Sequence, residues 1–157
     1  MAGDAPAESA TRSLVLLRMG GRACAIACEH VVEIIPRVLL SRVPDAPPGV
    51  LGVINLRGKV VPVVDVRARI AGTSELCPYQ HLVIVAGSGR MIGVAVDDVQ
   101  DVVTVPLASI EVPGELVDAH GPGIARVDDE LVLVLSPDDL HSRAREPAAP
   151  PPPERAP

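Results

Sequence analysis

Apolar and polar positions along the chain trace one pattern twice. Leu14 to Ile35 reads as an apolar run, LVLLRM, a Gly20-Gly21 break, a second run, ACAIA, an acidic turn and then HVVEII. Leu82 to Val103 reads LVIVAG, a break at Ser88-Gly89, MIGVAV, Asp97-Asp98 and VQDVV. The two segments superpose without a gap: Leu14 meets Leu82, Gly21-Arg22 meets Gly89-Arg90, Glu29 meets Asp97, Val31 meets Val99 and Glu33 meets Asp101. After a variable loop, GVINLRGKVVPVVD at 52–65 matches GIARVDDELVLVLS at 123–136. The runs are short, rich in β-branched residues and punctuated by turn residues, so they predict strands. Each copy reads as strand, glycine turn, strand, acidic turn, strand, variable loop and hairpin. A doubled set of short strands predicts small β-barrels or a sandwich.

Within the central hairpin stands Asn55-Leu56-Arg57-Gly58. A tight turn wants the glycine, but it does not want an arginine. The second copy has Arg126-Val127-Asp128-Asp129 at the same place, so hairpin geometry alone does not require Arg57. Two readings of Arg57 stand: a tie to a neighbouring carboxylate, Asp65 or Glu33, or a contact with a partner. Val31 and Glu33, two apart on a strand, are expected on one face. Pro62 cannot donate to a ladder and marks an edge or a bulge.

Helices are minor. One turn is expected at 47–51, and short helices at 65–70 and 137–140, closing each copy. Gly72 to Pro78 reads as the linker between copies. The small, polar residues 1–12 and the proline-rich end, 143–157, predict disordered tails. One domain is left at 13–142, its copies at about 14–70 and 82–140.

Composition narrows the function. Apolar residues make up 48% of the 157, yet Phe and Trp are absent and Tyr79 is the only aromatic. The formal charge is −6, with no basic stripe and no aromatic platform for bases, which argues against nucleic acid. No apolar run is long enough to span a membrane, and the first residues lack a signal-peptide pattern. Cys24 and Cys28 on one strand lie roughly 13 Å apart at about 3.3 Å per residue, too far to bridge. They read as core residues of a reducing compartment. A metal site from Cys24, Cys28 and His30 lacks the tight ligand spacing of zinc sites; a metal- or redox-responsive sensor using Cys24, Cys28 and Cys77 is the alternative function. The four histidines are scattered, and no nucleophile elbow, phosphate loop or zinc-protease helix is present. Asp97-Asp98 and Asp128-Asp129 read as solvated turn acids. The chain is therefore expected not to be an enzyme and to need no cofactor.

Four stretches carry a family resemblance: HVVEII at 30–35, VPDAPPGVLGVINLRGKVVPVVDVRARI at 43–70, GVAVDDVQDVV at 93–103 and GIARVDDELVLVLS at 123–136. Through them the chain resembles the CheW family of chemotaxis adaptors. The resemblance implies a mainly β fold of two intertwined, five-stranded, Src-homology-3-like barrels with a few short helices. It implies a cytoplasmic adaptor recruited to membrane receptor arrays. Its partners would be the regulatory domain of a CheA-type histidine kinase and the cytoplasmic tip of methyl-accepting chemoreceptors. It also implies that Val31, Glu33, Gly52, Asn55, Arg57, Gly58 and Gly93 form the partner-binding surfaces.

Overall fold

Two apolar runs, LVLL at 14–17 and LVIV at 82–85, do not alternate with polar residues, and the fold explains why. The computed structural model describes residues 10–73, 75–111 and 123–145. The strands among them are β1 (Thr11–Met19), β2 (Arg22–Ala27), β3 (Val31–Pro36), β4 (Val50–Leu56), β5 (Lys59–Val64), β6 (His81–Gly87), β7 (Arg90–Val96), β8 (Asp98–Pro106), β9 (Gly123–Val127) and β10 (Glu130–Leu135). Helix α1 (Arg67–Ala71) and helix α2 (Pro137–Arg145) follow the last strand of each copy.

The strands form two five-stranded barrels, ordered β8-β1-β2-β10-β9 and β3-β6-β7-β5-β4. The copies 14–70 and 82–140 are therefore not the barrels. Each barrel takes its first hairpin from one copy and its remaining three strands from the other. The link is direct: β3 leaves the first hairpin and pairs with β6, while β8 leaves β7 and pairs with β1. Each barrel also contains one parallel pair, β2 with β10 and β5 with β7, which no hairpin can make.

This exchange buries β1 and β6 on both faces. Leu14 faces the first barrel's core, and Val15 and Leu17 face a central cluster. Leu82 and Ile84 face the second barrel's core, and Val83 and Val85 face the same central cluster. Ile70 of α1 and Leu140 of α2 seal that cluster. Burying each such side chain contributes about 1.5–3 kcal/mol. Burial on both faces thus supplies a core that the missing aromatic residues would otherwise have filled.

All four two-residue hairpin turns have positive φ at both positions: Gly20-Gly21, Arg57-Gly58, Ser88-Gly89 and Asp128-Asp129. This is the mirror-type turn whose twist suits paired strands. Pro62 opposes Val53. Counting from the hairpin-closing pair Leu56–Lys59, that is a non-hydrogen-bonded position, and pairing to β7 starts only at Val63. The missing donor therefore breaks no ladder.

Three expectations need correction. The helical turn at 47–51 is a tight turn, closed by the Val50 N–H to Pro47 O at 2.9 Å, and β4 starts there. The last helix runs past 140 to Arg145, because Ala144 is buried and its carbonyl accepts the Gly49 N–H at 3.0 Å. At the other end, β1 starts at Thr11, inside the expected tail, because Thr11 pairs with Pro106. The rest of both expected tails, residues 1–9 and 146–157, lies outside the described residues.

Candidate functional site

The β4–β5 hairpin tip reaches the far edge strand of its own barrel. The barrel closes where the chain beyond β3 crosses β4: Ser41 and Val53 exchange two backbone hydrogen bonds, at 3.0 and 2.8 Å. That closure brings the tip over β3. Arg57 sits at φ 51°, and Gly58 at φ 85° completes the turn. Asn55 Oδ1 accepts the Gly58 N–H at 2.8 Å and locks the tip. The Arg57 guanidinium forks onto Glu33, with Nη1 donating to Oε1 and Nη2 donating to Oε2 at 3.3 Å.

The Arg57 side chain is 74% exposed and that of Glu33 23%. Such a pair at the water boundary is worth no more than about 1 kcal/mol. The fold therefore does not depend on it, and the cation stays presented to solvent. Exposed apolar side chains lie on the same strands: Val32 and Ile34 on β3, and Val60 on β5.

The other candidate residues have roles inside the molecule. A Cβ on Gly52 would lie 2.5 Å from Ser41 O, so glycine is what lets the closing segment pass. A Cβ on Gly93 would lie 3.2 Å from Ile84 Cδ1 and 3.4 Å from Val63 Cγ2, so it keeps two barrel strands close. Asn55 and Gly58 shape the tip that carries Arg57. Val31 and Glu33 do not share a face, contrary to their spacing. The register shifts between them, a bulge at Val32. Val31 joins the central cluster, while Ile35, on Glu33's side of the bulge, joins the second barrel's core.

Sequence reasoning missed Arg67. It is buried, and it bonds Asp65 through Nε at 3.0 Å and Nη2 at 2.9 Å. Its Nη1 donates to Asp97 Oδ1 and to Cys77 O, each at 2.7 Å. Asp97 Oδ2 in turn accepts the Gly21 N–H of the other barrel at 2.7 Å. Burial acts to raise the Asp97 pKa. The Arg67 hydrogen bond and the Gly21 and Gly20 N–H groups more than offset it, so the carboxyl titrates below its usual range. The network straps the two barrels together. The available signal was the Asp65-Val66-Arg67 spacing, set against Ser136 and Asp138 in the second copy.

A family model of the CheW-like domain matches residues 13–145. The chain belongs to the CheW-like domain family. It is 29% identical over 143 residues to the chemotaxis protein CheW of Rhizobium meliloti, covering 88% of this chain and 92% of that protein. It is 28% identical over 135 residues to Protein FrzA of Myxococcus xanthus, covering 82% and 84%. Among solved structures, the scaffolding protein TtCheW from Thermoanaerobacter tengcongensis superposes with a TM-score of 0.71 at 26% identity, covering 85% of this chain and 89% of that one.

CheW-like proteins are chemotaxis adaptors, and this member carries the family's two-barrel architecture. Among the described residues no group of three or more His, Cys, Asp or Glu converges to hold a metal. The three cysteines are free, and burial pushes the Cys24 thiol up to about 12. No described helix is long and apolar enough to cross a membrane.

Proposed function

We propose that this CheW-like chain is a non-catalytic coupling protein working in the cytoplasm at membrane receptor arrays. One surface takes the regulatory domain of a CheA-type histidine kinase, and another takes the cytoplasmic tip of a methyl-accepting chemoreceptor. The observation that carries the reading is the barrel-closing corner. An exposed, forked guanidinium is held on a tight turn, braced by Glu33 and Asn55, with exposed apolar side chains on the flanking strands. A planar cation held in place this way suits a carboxylate or carbonyl on a partner. Two partners held on one rigid body raise each other's effective concentration, which is how an adaptor without chemistry can bias a kinase.

The test is co-elution of the purified chain with a kinase regulatory fragment, a receptor cytoplasmic fragment, and both together. A three-component peak is expected. Failure to retain either fragment overturns the coupling role.

A further inference from the structure

The mouth of the second barrel is an opening lined by Lys59, Val61, Ala86, Gly87, Arg90 and Met91, with a volume of about 250 Å³. Val61 belongs to that barrel's core and Met91 packs against it, so the floor is apolar. The opening exists because β5 and β7 pair only at Val63–Gly93 and Val64–Val94, leaving 59–62 to diverge from β7. Two cations, Lys59 and Arg90, stand among the lining residues, and no carboxylate does. His141 Nε2 accepts from Arg90 Nη1 at 2.6 Å and fixes that guanidinium.

The first barrel supplies an internal comparison. At the position matching Ala86 it has Arg18, whose Nε donates to Gln100 Oε1 at 3.2 Å and whose Nη2 donates to Glu130 Oε1 at 3.1 Å. Its Nη1 donates to Gly21 O at 3.3 Å, so one side chain ties β1 to β8 and β10 across the mouth. The depression left there is walled by Asp128 and Glu130. In the second barrel, Ala86, Val32 and Lys59 replace Arg18, Gln100 and Glu130. Ala86 is too short to reach across, and Lys59 has the wrong charge to receive a guanidinium. The same scaffold thus lacks its tie on this side and shows apolar surface flanked by two cations, Lys59 and Arg90, with the Asp138 carboxylate held outside the opening by Ser88.

We propose that this mouth is a socket for a segment of a partner protein that presents an apolar side chain flanked by carboxylates. The apolar floor favours a side chain that leaves water, the rim favours carboxylates, and barrel mouths are recurrent binding sites. Val60, itself among the lining residues and 70% exposed on β5, carries the apolar surface out to solvent, which fits a chain segment better than a small solute. The socket deepens the adaptor reading and rests on it for the existence of a protein partner. It adjoins the Arg57–Glu33 corner and shares Val60 with it, but includes neither member of that ion pair.

The test transplants the first barrel's tie by the double substitution Ala86→Arg with Lys59→Glu, with Ala86→Leu as a second, purely space-filling variant. Two probes are titrated against the full chain and followed by the Met91 methyl and the Gly87 and Gly89 amide signals. They are acetyl-Glu-Leu-Glu-amide and its lysine counterpart, acetyl-Lys-Leu-Lys-amide, at millimolar concentration. The acidic peptide should shift all three signals saturably and the basic one should not. Either folded variant should abolish the shift and weaken the complex with one partner fragment at least about tenfold. No shift with the acidic peptide, an equal shift with the basic one, or a shift that survives in a folded variant overturns the socket. If the peptide binds as expected while neither kinase nor receptor fragment is retained, the coupling reading fails and the socket stands.

Discussion

Exchanging the charges of Glu33 and Arg57 separates what the pair does for the fold from what Arg57 does for a partner. Three variants are needed: Arg57→Glu, Glu33→Arg and the double exchange. The structure sets the stability scale. With Arg57 74% exposed and Glu33 23% exposed, the fork is worth about 0.2–1 kcal/mol. Like charges placed there can rotate into solvent, so each single variant should lose no more than about 1 kcal/mol. In a domain of this size that lowers Tm by about 2–4 °C. Arg57 lies at φ 51°, and glutamate there bears the same left-handed strain, so the backbone cost cancels. The double exchange remakes the pair and should restore Tm.

Binding should behave differently. Losing a desolvated charged contact at an interface costs about 2–5 kcal/mol, more than tenfold in Kd. In the double exchange the partner still meets a carboxylate where a guanidinium stood, so affinity for that partner should stay low although the fold is repaired. Scanning calorimetry and isothermal titration against the kinase and receptor fragments give the two readouts. If the double exchange recovers binding along with melting, Arg57 is a brace and not a contact. If Arg57→Glu unfolds the protein, the energy scale used here is wrong.

Gly52→Ala places a methyl 2.5 Å from Ser41 O, a backbone atom that cannot step aside, and should cost about 1–3 kcal/mol by calorimetry. Arg67→Met strands Asp65 and Asp97. Both remain partly wetted, so the loss should fall below the about 3–5 kcal/mol of a fully buried pair. Because Asp97 titrates below its usual 3.8 in the fold, its contribution is complete above that value and disappears as pH falls through the lower folded value; an acid melt should show this step in the parent and a smaller one in Arg67→Met, where the Gly20 and Gly21 N–H groups remain. With a thiol reagent at neutral pH, exposed Cys77 should react at once, while Cys24, its pKa pushed up to about 12, should react only after denaturation.

What was legible in the sequence follows from what is local. The glycine-marked turns, the β-branched runs and the match between copies are properties of neighbouring residues, and they gave the strands and their order. The exchange between barrels was not legible from periodicity. Nothing in HVVEII states that β3 will pair with β6, about fifty positions further along the chain. The bulge at Val32 was invisible for a related reason. A strand's period is read on the assumption that every residue advances one step, and the inserted residue reverses the face of everything before it. At the site, Glu33 was one of two carboxylates offered as a tie for Arg57, and barrel closure selects it over Asp65, which is occupied by Arg67. Arg67 itself was missed because two of its partners, Asp97 and the Cys77 carbonyl, belong to the other copy and to the linker.

The duplication separates scaffold from function within one molecule. Where both copies keep the same feature, the reason is steric. Gly52 and Gly123 each sit under a crossing segment, since a Cβ would meet Ser41 O in one and Ile110 Cγ2 in the other. The register slips between Val31 and Glu33, and again opposite Val99 and Asp101. All four turns keep positive φ whether they carry glycine, serine, arginine or aspartate. Where the copies differ, the backbone is the same and the charge is reversed: Arg57 against Asp128, Lys59 against Glu130. Glu130 has a structural reason, since it receives Arg18; turn geometry supplies none for Arg57 against Asp128, because both sit at positive φ on the same backbone. The two hairpin tips therefore differ in charge on one frame, a difference suited to an adaptor that holds two unlike partners.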